Sequence, residues 1–97
     1  ALSLAAGLLA PPVRAETIHV DIDRLAFAPA TVAAKVGDTI EWANKDILAH
    51  TATAKGRWDV TIAPNGSGRA TLKEAGEIDY LCRFHPNMRG HIVVAPK

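Results

Sequence analysis

The sequence predicts an all-β fold, an antiparallel β-sandwich. Three observations carry this. Apolar and polar residues alternate strictly over Thr17 to Asp23 and again over Thr39 to Asn44. Short runs of this kind are separated by Gly, Pro, Asn and Asp, the residues that make turns. No stretch beyond residue 15 repeats its apolar positions at helical spacing. Several short strands with turn signals between them bury their inner faces best as two packed sheets.

The elements follow in order. Ile18, Val20 and Ile22 share one face of a first strand over 17–23, which sends His19 to the other face. Phe27-Ala28-Pro29 interrupts, and Thr31 to Val36 forms a second strand. Gly37-Asp38 is a turn, after which Ile40 and Trp42 point inward together from a strand over 39–44. Lys55 to Gly68, with Pro64-Asn65-Gly66-Ser67-Gly68, has the least regular pattern and is predicted to be a loop; on this reading Trp58 is either core or a surface contact. Strands are expected at 70–73, at 78–82 after a turn at Glu74-Ala75-Gly76, and at 90–94.

Composition bounds the function. With 97 residues there is room for one domain. Residues 1–15 read as the back half of a secretory signal: a small apolar run, Pro11-Pro12, then Val13-Arg14-Ala15, where a signal peptidase would cut after Ala15. The run is too short to span a bilayer. The mature domain is then 16–97. Against 11 Lys and Arg stand 10 Asp and Glu, and losing Arg14 with the leader makes the counts equal. The charges are interspersed, so no basic stripe marks a nucleic-acid partner. Export places the chain where small proteins use disulfides, yet its single cysteine has no partner within the chain. Such a thiol needs another occupation.

That occupation is legible in Cys82-Arg83-Phe84-His85-Pro86-Asn87-Met88, where a thiolate, an imidazole and a thioether stand at even spacing. Cys82 and Met88 are the only residues of their kinds. A mononuclear blue copper centre takes one thiolate, two imidazoles and a weak axial thioether, so the heptapeptide lacks only one histidine. Three can supply it. His19 sits mid-strand on the outward face, and His91 follows Gly90 where the chain is leaving the site. His50 comes after the apolar turn Asp46-Ile47-Leu48-Ala49, in a loop next to the Trp42 strand, which is where a rigidly held ligand belongs.

Phe27-Ala28-Pro29, Val36 to Asp46, His50-Thr51-Ala52-Thr53 and Tyr80 to Gly90, continuing to Ile92-Val93-Val94, together resemble the cupredoxins, on the amicyanin and pseudoazurin side of that family. The resemblance spans nearly the whole mature chain, and the short C-x-x-H-x-x-M spacing is its amicyanin-like mark. It implies a Greek-key sandwich with one copper ion on His50, Cys82, His85 and Met88. It also implies a monomeric periplasmic carrier, not an enzyme, passing single electrons from a donor to an acceptor such as a c-type cytochrome or a periplasmic oxidoreductase. His85 would be the electron port, ringed by Phe84, Pro86, Ile47 and Leu48 and flanked by Arg83 and Arg89. Two departures stand out. Phe84 replaces the proline of amicyanins and plastocyanins, so a backbone N–H is available beside the sulfur. Thr51 replaces the usual asparagine, so a hydroxyl would have to bridge the two ligand loops.

Other chemistries fit less well. Structural zinc wants four strong N or S donors, a dinuclear copper centre wants two cysteines, and haem attachment wants C-x-x-C-H. Cys82 with His50 as nucleophile and base would leave His85 and Met88 without a role. A multicopper enzyme needs further domains. A copper-storage module and a redox domain detached from a larger oxidoreductase remain as alternatives to the carrier.

Overall fold

A computed structural model describes residues 14–97; the expected leader over 1–15 lies almost wholly outside them, with only Arg14 and Ala15 described, both exposed. Among the described residues there are nine strands: β1 (Thr17–Asp23), β2 (Ala26–Ala28), β3 (Thr31–Lys35), β4 (Thr39–Asn44), β5 (His50–Ala54), β6 (Trp58–Ile62), β7 (Ser67–Thr71), β8 (Gly76–Leu81) and β9 (Arg89–Ala95). They form two sheets, ordered β2-β1-β4-β7 and β3-β9-β8-β5-β6. Among the described residues no helix is long and apolar enough to cross a membrane.

Of the positions predicted to face inward, Val20, Ile22, Ile40 and Trp42 are buried and Ile18 is partly buried against the core. The second sheet adds Ala52, Ile62, Ile78, Tyr80 and Ile92. Tyr80 lies at the centre, its ring edge-on to Phe27 with centroids 4.7 Å apart and its hydroxyl accepting the Trp42 Nε1–H at 3.1 Å. The ring also occupies the space where a side chain on Gly90 would stand, since a Cβ there would collide with Tyr80 Cζ. Gly90 is directly opposite Tyr80 in the β8–β9 ladder, so glycine is what lets β9 start beside the core tyrosine.

Two expectations are corrected. The sheets are mixed, because β1 pairs with β4 and β3 with β9 in parallel. A period of two reports which face a residue takes and says nothing of strand direction; here the chain leaves β1 for β2, crosses to β3 in the other sheet, and returns beside β1 as β4.

The segment 55–68 is no loop. Trp58, Val60 and Ile62 face inward along β6, and β7 begins at Ser67. Trp58 is half-buried and packs on the core, 5.2 Å from Trp42 and 5.7 Å from Tyr80 between ring centroids. The Gly66-Ser67-Gly68 run had suggested a turn, yet Gly68 serves close packing: a Cβ on it would come within 2.5 Å of Val60 Cγ1. Only residues 55–57 and 63–66 turn, with Arg57 donating to the Ala54 carbonyl at 2.9 Å and Gly66 to the Ala63 carbonyl at 2.9 Å.

Candidate metal centre

Two loops at one end of the sandwich build the site. The first joins β4 to β5 and is organised by buried Asn44, whose Nδ2 donates to the Leu48 carbonyl at 2.8 Å while its Oδ1 accepts the Asp46 N–H at 2.9 Å. His50 follows as the first residue of β5, paired with Ile62, and so stands on a strand instead of the loop expected for it. The second loop joins β8 to β9. Cys82 comes directly after β8, and two successive tight turns follow, His85 N–H to the Cys82 carbonyl at 3.2 Å and Met88 N–H to the His85 carbonyl at 2.8 Å. Turns closed between residues three apart bring such residues onto one side, and this is why the even spacing works. The neck is shut by Cys82 N–H donating to the Met88 carbonyl at 3.1 Å.

The side chains of His50, Cys82 and His85 converge, with one donor atom from each within 4.8 Å of the others. Cys82 Sγ is 3.7 Å from His50 Nδ1 and 3.8 Å from His85 Nδ1. Metal bonds of about 2.0 Å to nitrogen and 2.3 Å to sulfur, opened to a trigonal angle, put these atoms about 3.7 Å apart. Both imidazoles therefore sit at the separation from sulfur that a shared ion requires. His50 and Cys82 are fully buried and Met88 nearly so, whereas His85 is half-buried. No carboxylate belongs to the converging set, and a soft thiolate with two imidazoles and a neighbouring thioether suits one copper ion.

Electrostatics favour the thiolate. Burial pushes the Cys82 thiol up, but the Thr51 N–H, the rings of His85 and His50 and the Phe84 N–H together bring it down to about 6. The Thr51 N–H donates to the sulfur at 3.3 Å, and the Thr51 hydroxyl accepts the Arg83 N–H at 2.8 Å. The hydroxyl bridge expected between the ligand loops is present.

His19 and His91 lie elsewhere. His19 is exposed and contacts Glu41 at 3.0 Å. His91 is held on the outer face of β9 between Asp79 at 2.6 Å and Glu77 at 2.9 Å, so it is a clamped side chain and not a merely solvated one. Sequence reasoning missed the residues that support the ligands. His50 Nε2 is 2.8 Å from Asp46 Oδ2, and Thr53 and Asp59 extend the Thr51 bridge. Asp46 stands four residues before His50, a spacing with no meaning in an irregular loop.

Comparison with known proteins agrees with this geometry. The Cupredoxin-like domain profile matches residues 2–94. The amicyanin of Paracoccus versutus is 31% identical over 93 residues, which span 88% of this chain and 70% of that protein. The amicyanin of Paracoccus denitrificans is 33% identical over 92 residues, spanning 79% and 64%. The crystal structure of the Paracoccus versutus protein superposes with a TM-score of 0.72 at 31% identity, over 84% of each chain. Fold, donor geometry and relatives agree: the chain belongs to the cupredoxin family and is of the amicyanin type.

Proposed function

We propose that the protein is a periplasmic one-electron carrier, monomeric and without an enzymatic activity of its own, whose copper is held by His50, Cys82, His85 and Met88. The observation that carries this is the buried Cys82 sulfur with an imidazole Nδ1 at 3.7 Å and another at 3.8 Å. Copper bound there supplies a couple that gains and loses one electron. The residues do the rest. Cys82 and Met88 are donors suited to the reduced ion and the imidazoles serve either state, so a frame that fixes all four spares the site rearrangement when the electron arrives. Thr51 N–H draws charge from the sulfur, and the closed loop neck keeps water from it.

Exchange with a donor and an acceptor, a c-type cytochrome or another periplasmic oxidoreductase, would pass through His85. Exposed apolar side chains from both ligand loops lie at this end: Ile47 at 87%, Leu48 at 49% and Phe84 at 51% of full exposure. A small apolar patch permits brief, close contact. Arg83 is tied to Asp59 at 3.1 Å and its guanidinium lies 5.4 Å from the centre of the Phe84 ring. Arg89 makes no ion pair among the described residues, so it is the better candidate for steering an acidic partner. Cleavage of the leader after Ala15 completes the reading.

Copper-loaded protein should show an intense visible thiolate band and a reversible one-electron wave. Cys82→Ser should abolish the band, because a serine hydroxyl is neither soft nor ionised at neutral pH; His19→Ala and His91→Ala should leave it intact. A strongly coloured Cys82→Ser variant would overturn the site. Slow self-exchange in a coloured protein would favour storage over transport.

A further inference from the structure

The histidine that the sequence places least securely is the one the structure holds most firmly. His50 is fully buried, and its outer nitrogen Nε2 lies 2.8 Å from Asp46 Oδ2. An ionised carboxylate only accepts hydrogen bonds, so Nε2 carries the proton. Nδ1 is then left with its lone pair directed at the space shared with Cys82 Sγ and His85. Hydrogen bonding to a carboxylate fixes a ligand histidine's tautomer and strengthens it as a donor.

The carboxylate is itself fixed from several sides. Oδ1 accepts the Arg24 N–H at 2.8 Å and Oδ2 the Leu25 N–H at 3.1 Å. The Asp46 N–H is held by Asn44 Oδ1 at 2.9 Å. Arg24 and Leu25 have φ of 53° and 60°, a left-handed conformation that is unfavourable for a residue with a side chain. Their turn joins β1 to β2, in the sheet opposite His50. The two amides that this conformation aims inward are both taken by Asp46, which explains why the turn persists without glycine. The carboxylate cannot swing away from His50 without abandoning the turn.

We infer that Asp46 is a positioning residue of the metal centre: it holds His50 in the Nε2–H tautomer and makes it the stronger of the two imidazole donors. No carboxylate contacts the His85 ring among the described residues. The inference rests on the copper reading above and adds a cause of asymmetry within it. A stronger donor favours the oxidised ion, so Asp46 lowers the reduction potential and tightens oxidised copper more than reduced.

The test is Asp46→Asn, which keeps the shape and an oxygen acceptor for the turn while removing the charge, beside Asp46→Asn in a Leu25→Gly background, where the turn no longer needs that acceptor. Nitrogen-15 spectra of the metal-free protein should show His50 wholly in the Nε2–H tautomer in wild type and mixed in both variants. Oxidised-copper affinity, measured by chelator competition, should fall about 10–100-fold, with a smaller loss for reduced copper and a rise in potential by voltammetry. Folded variants with unchanged tautomer, affinity and potential would reduce Asp46 to an anchor for the turn and overturn the inference. Failure of the copper reading is separate: it would appear as a wild type without the visible band, while the metal-free spectra would still report on His50.

Discussion

The Thr51 hydroxyl accepts the Arg83 backbone N–H at 2.8 Å, and this one contact joins the strand that starts at His50 to the loop that starts at Cys82. Its direction is set further out. Thr53 Oγ1 lies 2.9 Å from Thr51 Oγ1 and 2.7 Å from Asp59 Oδ1, but has one proton to give. The carboxylate, which cannot donate, takes it. Thr51 therefore donates to Thr53, and Arg83 Nε closes the circuit on Asp59 at 3.1 Å. A chain of hydroxyls runs from the metal loop to a surface carboxylate.

Thr51→Val keeps the volume and the N–H to sulfur but deletes the acceptor. It should leave the visible band in place while costing about 1–3 kcal/mol, the penalty for an amide left without its partner. For a domain of this size that lowers Tm by about 4–8 °C per kcal/mol, readable by calorimetry. An unchanged Tm would mean that water replaces the hydroxyl.

Met88→Gln should keep copper bound and lower the reduction potential, since a hard axial oxygen favours the oxidised ion. Voltammetry decides. Met88 is nearly buried and its carbonyl closes the loop neck, so a purely packing role would show as lost stability at an unaltered potential.

Phe84→Pro deletes the backbone N–H that acts on the Cys82 sulfur. With less charge withdrawn from the thiolate, oxidised copper is stabilised and the potential should fall. A rise or no change would leave Thr51 as the sulfur's only effective amide donor.

Metal-free protein should gain stability as pH rises from about 6 to about 9. Cys82 ionises at about 6 when folded against an ordinary 9.0, so its contribution is complete above the unfolded value and lost as pH falls through the folded one. His91 works in the opposite sense. Asp79 above all raises its pKa, burial opposes it, and Glu77 adds to the rise, so its contribution is present below 6.5 and fades as pH rises through the raised value. His91 sits at the surface, where solvent screens it, and the thiolate should dominate. Absorbance near 240 nm and calorimetry across this range check both; a Tm that falls from pH 6 to 9 would contradict the thiolate assignment.

Cys82 and His85 were legible because their spacing is local: a turn closing between residues three apart brings both side chains to one side. Strand faces were legible for the same reason, since alternation is a property of neighbours. Strand direction was not, and the parallel β1–β4 pairing comes from a crossover that no local pattern records. Gly68 misled because glycine reads as a turn, whereas here it answers to Val60 in another strand. Asp46 was invisible in a different way: its partners are Arg24, Leu25 and His50, brought together only when the β1–β2 turn folds over the metal end.

Gly68 also bears on how the molecule behaves among its own copies. β6 and β7 are free edges of different sheets, and unpaired strand edges invite pairing with other chains. With no side chain at Gly68, Val60 and Ile62 lie across the seam and the two edges shield each other's flank. What they leave outward includes Asp59 and Arg69, and of the remaining edges β2 is three residues long and β3 ends in Lys35. Short, charged or mutually covered edges offer no flat ribbon for a neighbouring chain to extend, which disfavours edge-to-edge pairing between copies.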